Sequence, residues 1–129
     1  MKTFCTLALL FFPSAAFAAQ PLYNCTSQES GFSYRVSSVK EYVNSEVVSK
    51  YSLRILDENK KDVGTLEGLT ASYQFIETLP PTMIMSLNNE IGNSEIEISI
   101  VDSKPQVITA SVDDDESITC FAMPPYYGF

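Results

Sequence analysis

Cysteine is the residue type in this sequence whose chemistry and position are most informative. The chain has three cysteines, Cys5, Cys25 and Cys120, and no histidine. We expect Cys5 to be removed with an N-terminal signal, which leaves Cys25 and Cys120 with only each other as partners. In an oxidising compartment two such thiols form a disulfide bond by default. Free thiols or a metal pair are the alternative, but zinc sites normally use four ligands. The sequence therefore predicts a Cys25–Cys120 disulfide.

Residues 1–18 have the pattern of a secretory signal peptide. Lys2 supplies a positive charge, and the segment from Phe4 to Phe12 is apolar apart from two interruptions. Ala16-Phe17-Ala18 fits the small-x-small rule for cleavage. The apolar stretch is shorter than the ~20 residues that a membrane-spanning helix needs. We predict cleavage after Ala18, or one residue later.

Residues 19–129 are expected to form a single domain. No linker, repeat or low-complexity tract divides them, and no later segment is apolar enough to span a membrane as a helix. Their length lies within the usual size of one domain. We therefore expect an exported protein of the periplasm or the extracellular space, with no transmembrane segment in the mature chain.

The net charge limits the class of partner. The chain has eight basic and sixteen acidic residues, and removal of the signal takes away Lys2 and no acid. Phosphate binding needs clustered Lys and Arg, whereas Arg35 and Arg54 are far apart in the sequence. We expect no nucleic-acid partner. The negative charge favours solubility or attraction to a basic protein partner.

The composition offers little catalytic chemistry. The absence of histidine removes the commonest general base and the usual Ser–His and Cys–His nucleophile pairs. A pair of carboxylates of the glycosidase type is the remaining option. Nearly all acidic residues, however, lie in predicted turns or on the outward side of alternating strands. We expect no catalytic residue, no cofactor and no metal site, and hence a protein that is not an enzyme.

The densest charge cluster is the segment Asp113-Asp114-Asp115-Glu116. Adjacent residues on a tight turn cannot all converge on one calcium ion, and the spaced pattern of an EF-hand is missing. The segment is therefore interpreted as an acidic hairpin tip. Such a tip could contact a basic partner, so Asp113, Asp114 and Asp115 are candidate binding residues.

The C-terminal tail, residues 124–129, contains two prolines and three aromatic residues. The prolines keep it from continuing a central strand. Tyr126, Tyr127 and Phe129 could pack over an open end of a barrel, or they could form an exposed anchor that a partner recognises. They are the second set of candidate binding residues.

Alternation of apolar and polar residues dominates the mature sequence and predicts an all-β fold. Ile96, Ile98 and Ile100 alternate with polar residues in the clearest example. Polar turns rich in Asp, Asn, Gly and Pro separate the runs. The candidate strands are about 22–26, 32–38, 39–43, 48–56, 63–67, 70–77, 82–87, 95–101, 106–112 and 117–122, and some of them are expected to merge.

One segment is ambiguous. Residues 39–43 could form a short helix, with Ser38 and Glu41 as a capping box. The β-branched valines of this segment are mediocre helix formers, which favours a strand.

The predicted disulfide constrains the topology. Hairpins in sequence without a long crossover imply an antiparallel meander. Because Cys25 lies in the first strand and Cys120 in the last, their bond would place those strands side by side and close the sheet into a barrel. A two-sheet β-sandwich is the alternative.

Tyr23-Asn24-Cys25 near the mature start and Cys120 near the end, around a small β-barrel, resemble the periplasmic inhibitors of C-type lysozyme. That family presents a Ser-Gly-x-x-Tyr loop to the lysozyme cleft. The nearest segment here, Thr70-Ala71-Ser72-Tyr73, lacks the glycine and the spacing. No functional residue is therefore carried over from the family.

The function expected from the sequence is non-enzymatic binding of a protein partner by an exported β-domain. Two alternatives are inhibition of a secreted cell-wall hydrolase, whose basic surface would complement the acidic chain, and carriage of a small ligand inside the barrel, since eight strands can just hold one.

Overall fold

A computed structural model describes residues 19–124 and contains eight β-strands and no helix over that range. Residues 19–124 therefore contain no helix long and apolar enough to cross a membrane. The strands are β1 (Gln20–Ser27), β2 (Ser33–Val43), β3 (Glu46–Leu56), β4 (Asp62–Ile76), β5 (Thr82–Asn88), β6 (Ser94–Val101), β7 (Val107–Val112) and β8 (Asp115–Ala122).

The eight strands form one closed antiparallel barrel in which each strand pairs with its neighbours in the sequence, and β1 pairs with β8. Cys25 lies directly opposite Cys120 on these two strands, and the two residues form a disulfide bond. The predicted all-β fold, its closure and the disulfide are confirmed. A two-sheet sandwich is wrong, because the hydrogen-bonded ring is continuous.

Alternate residues of every strand point into the barrel and make its core. On β6, Ile96 and Ile98 are fully buried, whereas Glu97 between them is exposed. Directly opposed residues share a face of the sheet, so Ile98 meets Met85 of β5 and Ala110 of β7. The apolar alternation in the sequence therefore marks the inward face. The largest fully buried apolar side chains are Leu53, Leu87, Ile96, Ile98, Ile118 and Val36.

Residues 39–43 continue β2 and do not form a helix, so the helical alternative for this segment is wrong. Asn44 and Ser45 have φ angles of 52° and 68°. Positive φ at both central residues defines the tight turn whose twist matches two antiparallel strands. This turn joins β2 to β3, and the long ladder from Ser33↔Leu56 to Val43↔Glu46 outweighs the local capping signal.

The predicted strands 63–67 and 70–77 merge into one long strand, β4. Gly68, with φ +72°, lies at the junction. β4 pairs with β3 as far as Leu69, and from Thr70 onward it pairs with β5. Glycine adopts positive φ at little cost, so β4 can turn at this point from one neighbour to the other.

Candidate functional site

One end of the barrel carries most of the exposed apolar surface. It is formed by the start of β1, the β2–β3 turn, the β4–β5 and β6–β7 loops and the end of β8. We call this the aromatic end. Of the eleven large apolar side chains exposed in residues 19–124, nine lie here, and only Val63 and Ile91 lie at the opposite end. The nine are Tyr42, Val43, Val47, Tyr73, Phe75, Leu79, Val107, Phe121 and Met123.

The inward face of β4 becomes progressively exposed toward the aromatic end. Leu69 is 3% exposed, Tyr73 is 50% exposed and Phe75 is 74% exposed. Tyr73 lies opposite Met85, and Phe75 lies opposite Met83, so all of them belong to the inner face. The cause is the change of partner at Gly68: beyond Tyr51↔Leu69, β3 and β4 no longer pair. Tyr73 and Phe75 therefore face inward but remain exposed at the rim of the barrel, where β3 no longer covers β4.

Tyr51 and Tyr73 meet at this rim, and Tyr23 of β1 lies within electrostatic reach of Tyr73. Tyr51 Oη and Tyr73 Oη are 3.4 Å apart, long for a hydrogen bond between hydroxyls. The hydrogen bond to Tyr73, together with burial and the charge on Tyr73, raises the pKa of Tyr51 to about 12. Burial, and then the charge on Tyr73, raise the pKa of Tyr23. The hydroxyl groups of Tyr23 and Tyr51 therefore stay protonated to a higher pH than that of an ordinary tyrosine, and both can donate and accept hydrogen bonds.

The β2–β3 hairpin extends beyond the ring of strands. β1 pairs with β2 as far as Ser38, and β4 pairs with β3 only from Tyr51 onward. Among residues 19–124, the segment 39–50 is therefore a two-stranded ribbon, and residues 47–50 have no paired strand on their outer edge. Tyr42, Val43 and Val47 on it are exposed. Unpaired strand edges are templates for a further strand.

The opposite end of the barrel holds the predicted acidic tip, and we call it the acidic end. Asp113 and Asp114 form the β7–β8 turn and are exposed. Asp115 is the first residue of β8, and its carboxylate accepts hydrogen bonds from Ser27 Oγ and from the backbone N–H and the hydroxyl of Ser117. Those hydrogen bonds, that from Ser27 first, lower the pKa of Asp115. The carboxylate of Asp115 therefore links β1 to β8, while Asp113 and Asp114 are accessible.

Charge is segregated between the two ends. The acidic end, counted as residues 29, 57–62, 90, 95 and 113–116, holds ten carboxylates and two lysines. The aromatic end, counted as residues 40–50, 77 and 102–104, holds four carboxylates and three lysines. The apolar surface thus lies on the nearly neutral end of an acidic protein.

The sequence-predicted site residues are not brought together. Asp113, Asp114 and Asp115 lie at the acidic end, whereas β8 and Pro124 lead the chain out at the aromatic end. Tyr126, Tyr127 and Phe129 lie outside the described residues. The tyrosine rim was not predicted from the sequence, nor was the pairing of Arg35 with Arg54, which are direct neighbours across β2 and β3. The two-residue turn at Asn44-Ser45 would have revealed that pairing, because it fixes the register of the hairpin.

Within residues 19–124, no three Cys, Asp or Glu side chains are arranged to hold a metal ion. Comparisons with protein-family models, with curated proteins and with solved structures found no match to this chain.

Proposed function

We propose that this chain is an exported, non-enzymatic β-barrel that binds a protein partner through its aromatic end. The observation that carries the proposal is the one-sided distribution of exposed apolar side chains, nine of eleven within residues 19–124. Contiguous exposed apolar surface marks interaction sites on soluble proteins. Exposed tyrosine and phenylalanine are enriched where partners bind.

The periplasm or the extracellular space is the compartment we propose. The disulfide between Cys25 and Cys120 is typical of an oxidising environment. Residues 1–18 carry the sequence pattern of an export signal.

The charge distribution supports a basic partner. The excess of acidic residues, sixteen against eight basic ones, gives the protein a net negative charge that attracts a basic protein during diffusion. The aromatic end carries nearly balanced charge, so its apolar groups can be desolvated without burying many ions.

The unpaired outer edge of residues 47–50 supports a specific binding mode. An extended segment of the partner can add a strand to these residues and satisfy their outward backbone groups. Phe75 and Tyr73, exposed on the adjacent inner face, then provide apolar anchors.

Site-specific photo-crosslinking tests the proposal. A photoreactive amino acid replaces Phe75 in one variant and Val63 in another, and both are expressed in the source organism. Val63 is 57% exposed at the acidic end and is the matched control. We expect one basic protein to crosslink from position 75 and not from position 63. Equal crosslinking from both positions, or none from position 75, would contradict the proposal.

The purified partner then provides the quantitative test. We expect Phe75→Ser to weaken its binding at least tenfold and Val63→Ser to change it less than twofold, because only Phe75 lies on the aromatic end. Deletion of residues 126–129 measures the contribution of the predicted tail. If the crosslinked partner is a cell-wall hydrolase, its activity with and without the barrel tests inhibition directly.

A further inference from the structure

The only two arginines of the chain, far apart in the sequence, lie side by side on the outer face of the barrel. Arg35 of β2 is directly opposite Arg54 of β3. Like charges directly opposite each other on neighbouring strands are destabilising. A pair of this kind in an acidic protein departs from the pattern that folding stability favours, and such departures are expected at functional positions.

The two guanidinium groups differ in their partners. Arg54 Nε donates a hydrogen bond of 3.1 Å to Asp62 Oδ2, and both side chains are about half exposed. Among residues 19–124, the side chain of Arg35 makes no ion pair and no hydrogen bond. The positive charge of Arg35 is therefore available to a ligand, and Arg54 could turn its remaining N–H donors toward the same ligand.

Both arginines line a groove of about 580 Å³ that runs over β1, β2, β3 and β4. This volume lies in the range of small-molecule sites. Ser37, Ser52 and Thr65 contribute hydroxyl groups to its lining. Pro21 and Met123 provide an apolar side.

Asn24 adds a further requirement on the ligand. It lies opposite Arg35 on β1 and lines the same groove. Its Oδ1 atom is buried and accepts no hydrogen bond from the described residues. A buried acceptor without a donor costs free energy, so a ligand that carries a hydroxyl or N–H group would be favoured there.

We propose that this groove binds a small hydroxylated oxyanion, such as a sugar acid or a sugar phosphate. The guanidinium groups of Arg35 and Arg54 bind the carboxylate or phosphate oxygens with charge-assisted hydrogen bonds. The serine and threonine hydroxyls and Asn24 bind the hydroxyl groups of the ligand. The arginines and hydroxyl groups of the site lie on the outer face, whereas Tyr23 and Met123 of its lining are shared with the aromatic end. Ligand binding by the arginines therefore does not require the proposed protein partner.

Calorimetric titration of the purified domain with three probes tests the site. The probes are D-glucuronate, D-glucose 6-phosphate and, as the uncharged control, D-glucose. We expect saturable binding of at least one charged probe and none of glucose. The stronger of the two charged probes identifies the oxyanion that the site prefers. Absence of binding for both charged probes, or equal binding of glucose, would overturn the proposal.

Variants separate a local site from general charge attraction. Arg35→Gln and Arg54→Gln should each weaken binding at least tenfold, whereas Lys104→Gln, the same charge change in the β6–β7 loop, should change it less than twofold. Asp62→Asn keeps both arginines and frees Arg54 from its ion pair, so it should tighten binding at least twofold. Arg35→Gln should not lower the melting temperature, since it removes a like-charge pair. Equal weakening by Lys104→Gln, or weaker binding in Asp62→Asn, would contradict the site.

Discussion

Ser27 of β1 donates a hydrogen bond through its hydroxyl to the carboxylate of Asp115 on β8, and this contact links the first and last strands at the acidic end. The same Ser27 oxygen accepts a hydrogen bond from the backbone N–H of Ser30. Ser27 is almost fully buried. Two contacts therefore hold β1 against β8. One is the Cys25–Cys120 disulfide, and the other, two residues further along β1, is the hydrogen-bond network of Ser27 and Asp115.

The first prediction concerns the pH dependence of stability. The pKa of Asp115 is lowered in the folded protein by its hydrogen bonds from Ser27 and Ser117. A lowered folded-state pKa contributes stability above the unfolded-state value near 3.8, and that stability is lost as the pH falls through the folded-state pKa. Asp115→Asn should therefore lower the urea midpoint at pH 7. The variant's urea midpoint should also change less between pH 7 and pH 2 than that of the parent protein. Asp114→Asn, on the exposed tip, is the control and should retain the full difference.

The second prediction concerns the disulfide. The bond joins residues with a sequence separation of 95. For a loop of this length the chain-entropy model gives roughly 4–5 kcal/mol of stabilisation. Cys25→Ala with Cys120→Ala should reduce the free energy of unfolding by up to about that amount, measured by urea denaturation. Rapid alkylation of both sulfurs in the freshly purified native protein would show that the bond is absent.

The third prediction concerns the core. Ile98 is fully buried and faces Met85 and Ala110 on the neighbouring strands. Ile98→Ala should cost about 2–5 kcal/mol of folding free energy, from lost burial and the cavity that remains. Val63→Ala, at an exposed position, should stay within about 0.5 kcal/mol of the parent protein. A similar loss in both variants would mean that the alternation does not mark the inward face.

The sequence predicted the elements of the fold more fully than its surface. Alternation at Ile96–Ile100 and turn chemistry at Asp57–Lys61 identify strands and loops because these signals are local. The cysteine positions added the one long-range constraint, which selected the barrel. The tyrosine rim and the arginine pair depend on register instead. A shift of one residue exchanges the two faces of a strand, so neither feature follows from the local pattern of one strand alone.

The fourth prediction concerns Tyr51. Its pKa is raised to about 12 by the hydrogen bond to Tyr73, by burial and by the charge on Tyr73. Tyr73→Phe removes the first and third causes and should move this ionisation toward 10, measured by phenolate absorbance with Tyr51→Phe as the reference for assignment. A group whose pKa is raised in the folded state stabilises the protein at pH values below its unfolded-state pKa. This stabilisation is lost as the pH rises through the folded-state pKa. The parent protein should accordingly lose stability between about pH 10 and pH 12, and Tyr51→Phe should lose less.

The fifth prediction concerns the turn that positions the ribbon. Ser45 adopts φ 68°, which is unfavourable for a residue with a Cβ atom and favourable for glycine. Ser45→Gly should relieve this cost, partly offset by the greater freedom of glycine in the unfolded chain, for a net gain of about 0.5 kcal/mol in urea unfolding. Ser49→Gly, in the extended part of β3, has no such strain to relieve and should lose about 0.5–1 kcal/mol. Both variants make the same chemical change on one hairpin. Changes of opposite sign in the free energy of unfolding would therefore trace the effect to the backbone conformation at position 45. Equal losses of stability would show that residue 45 does not have a positive φ.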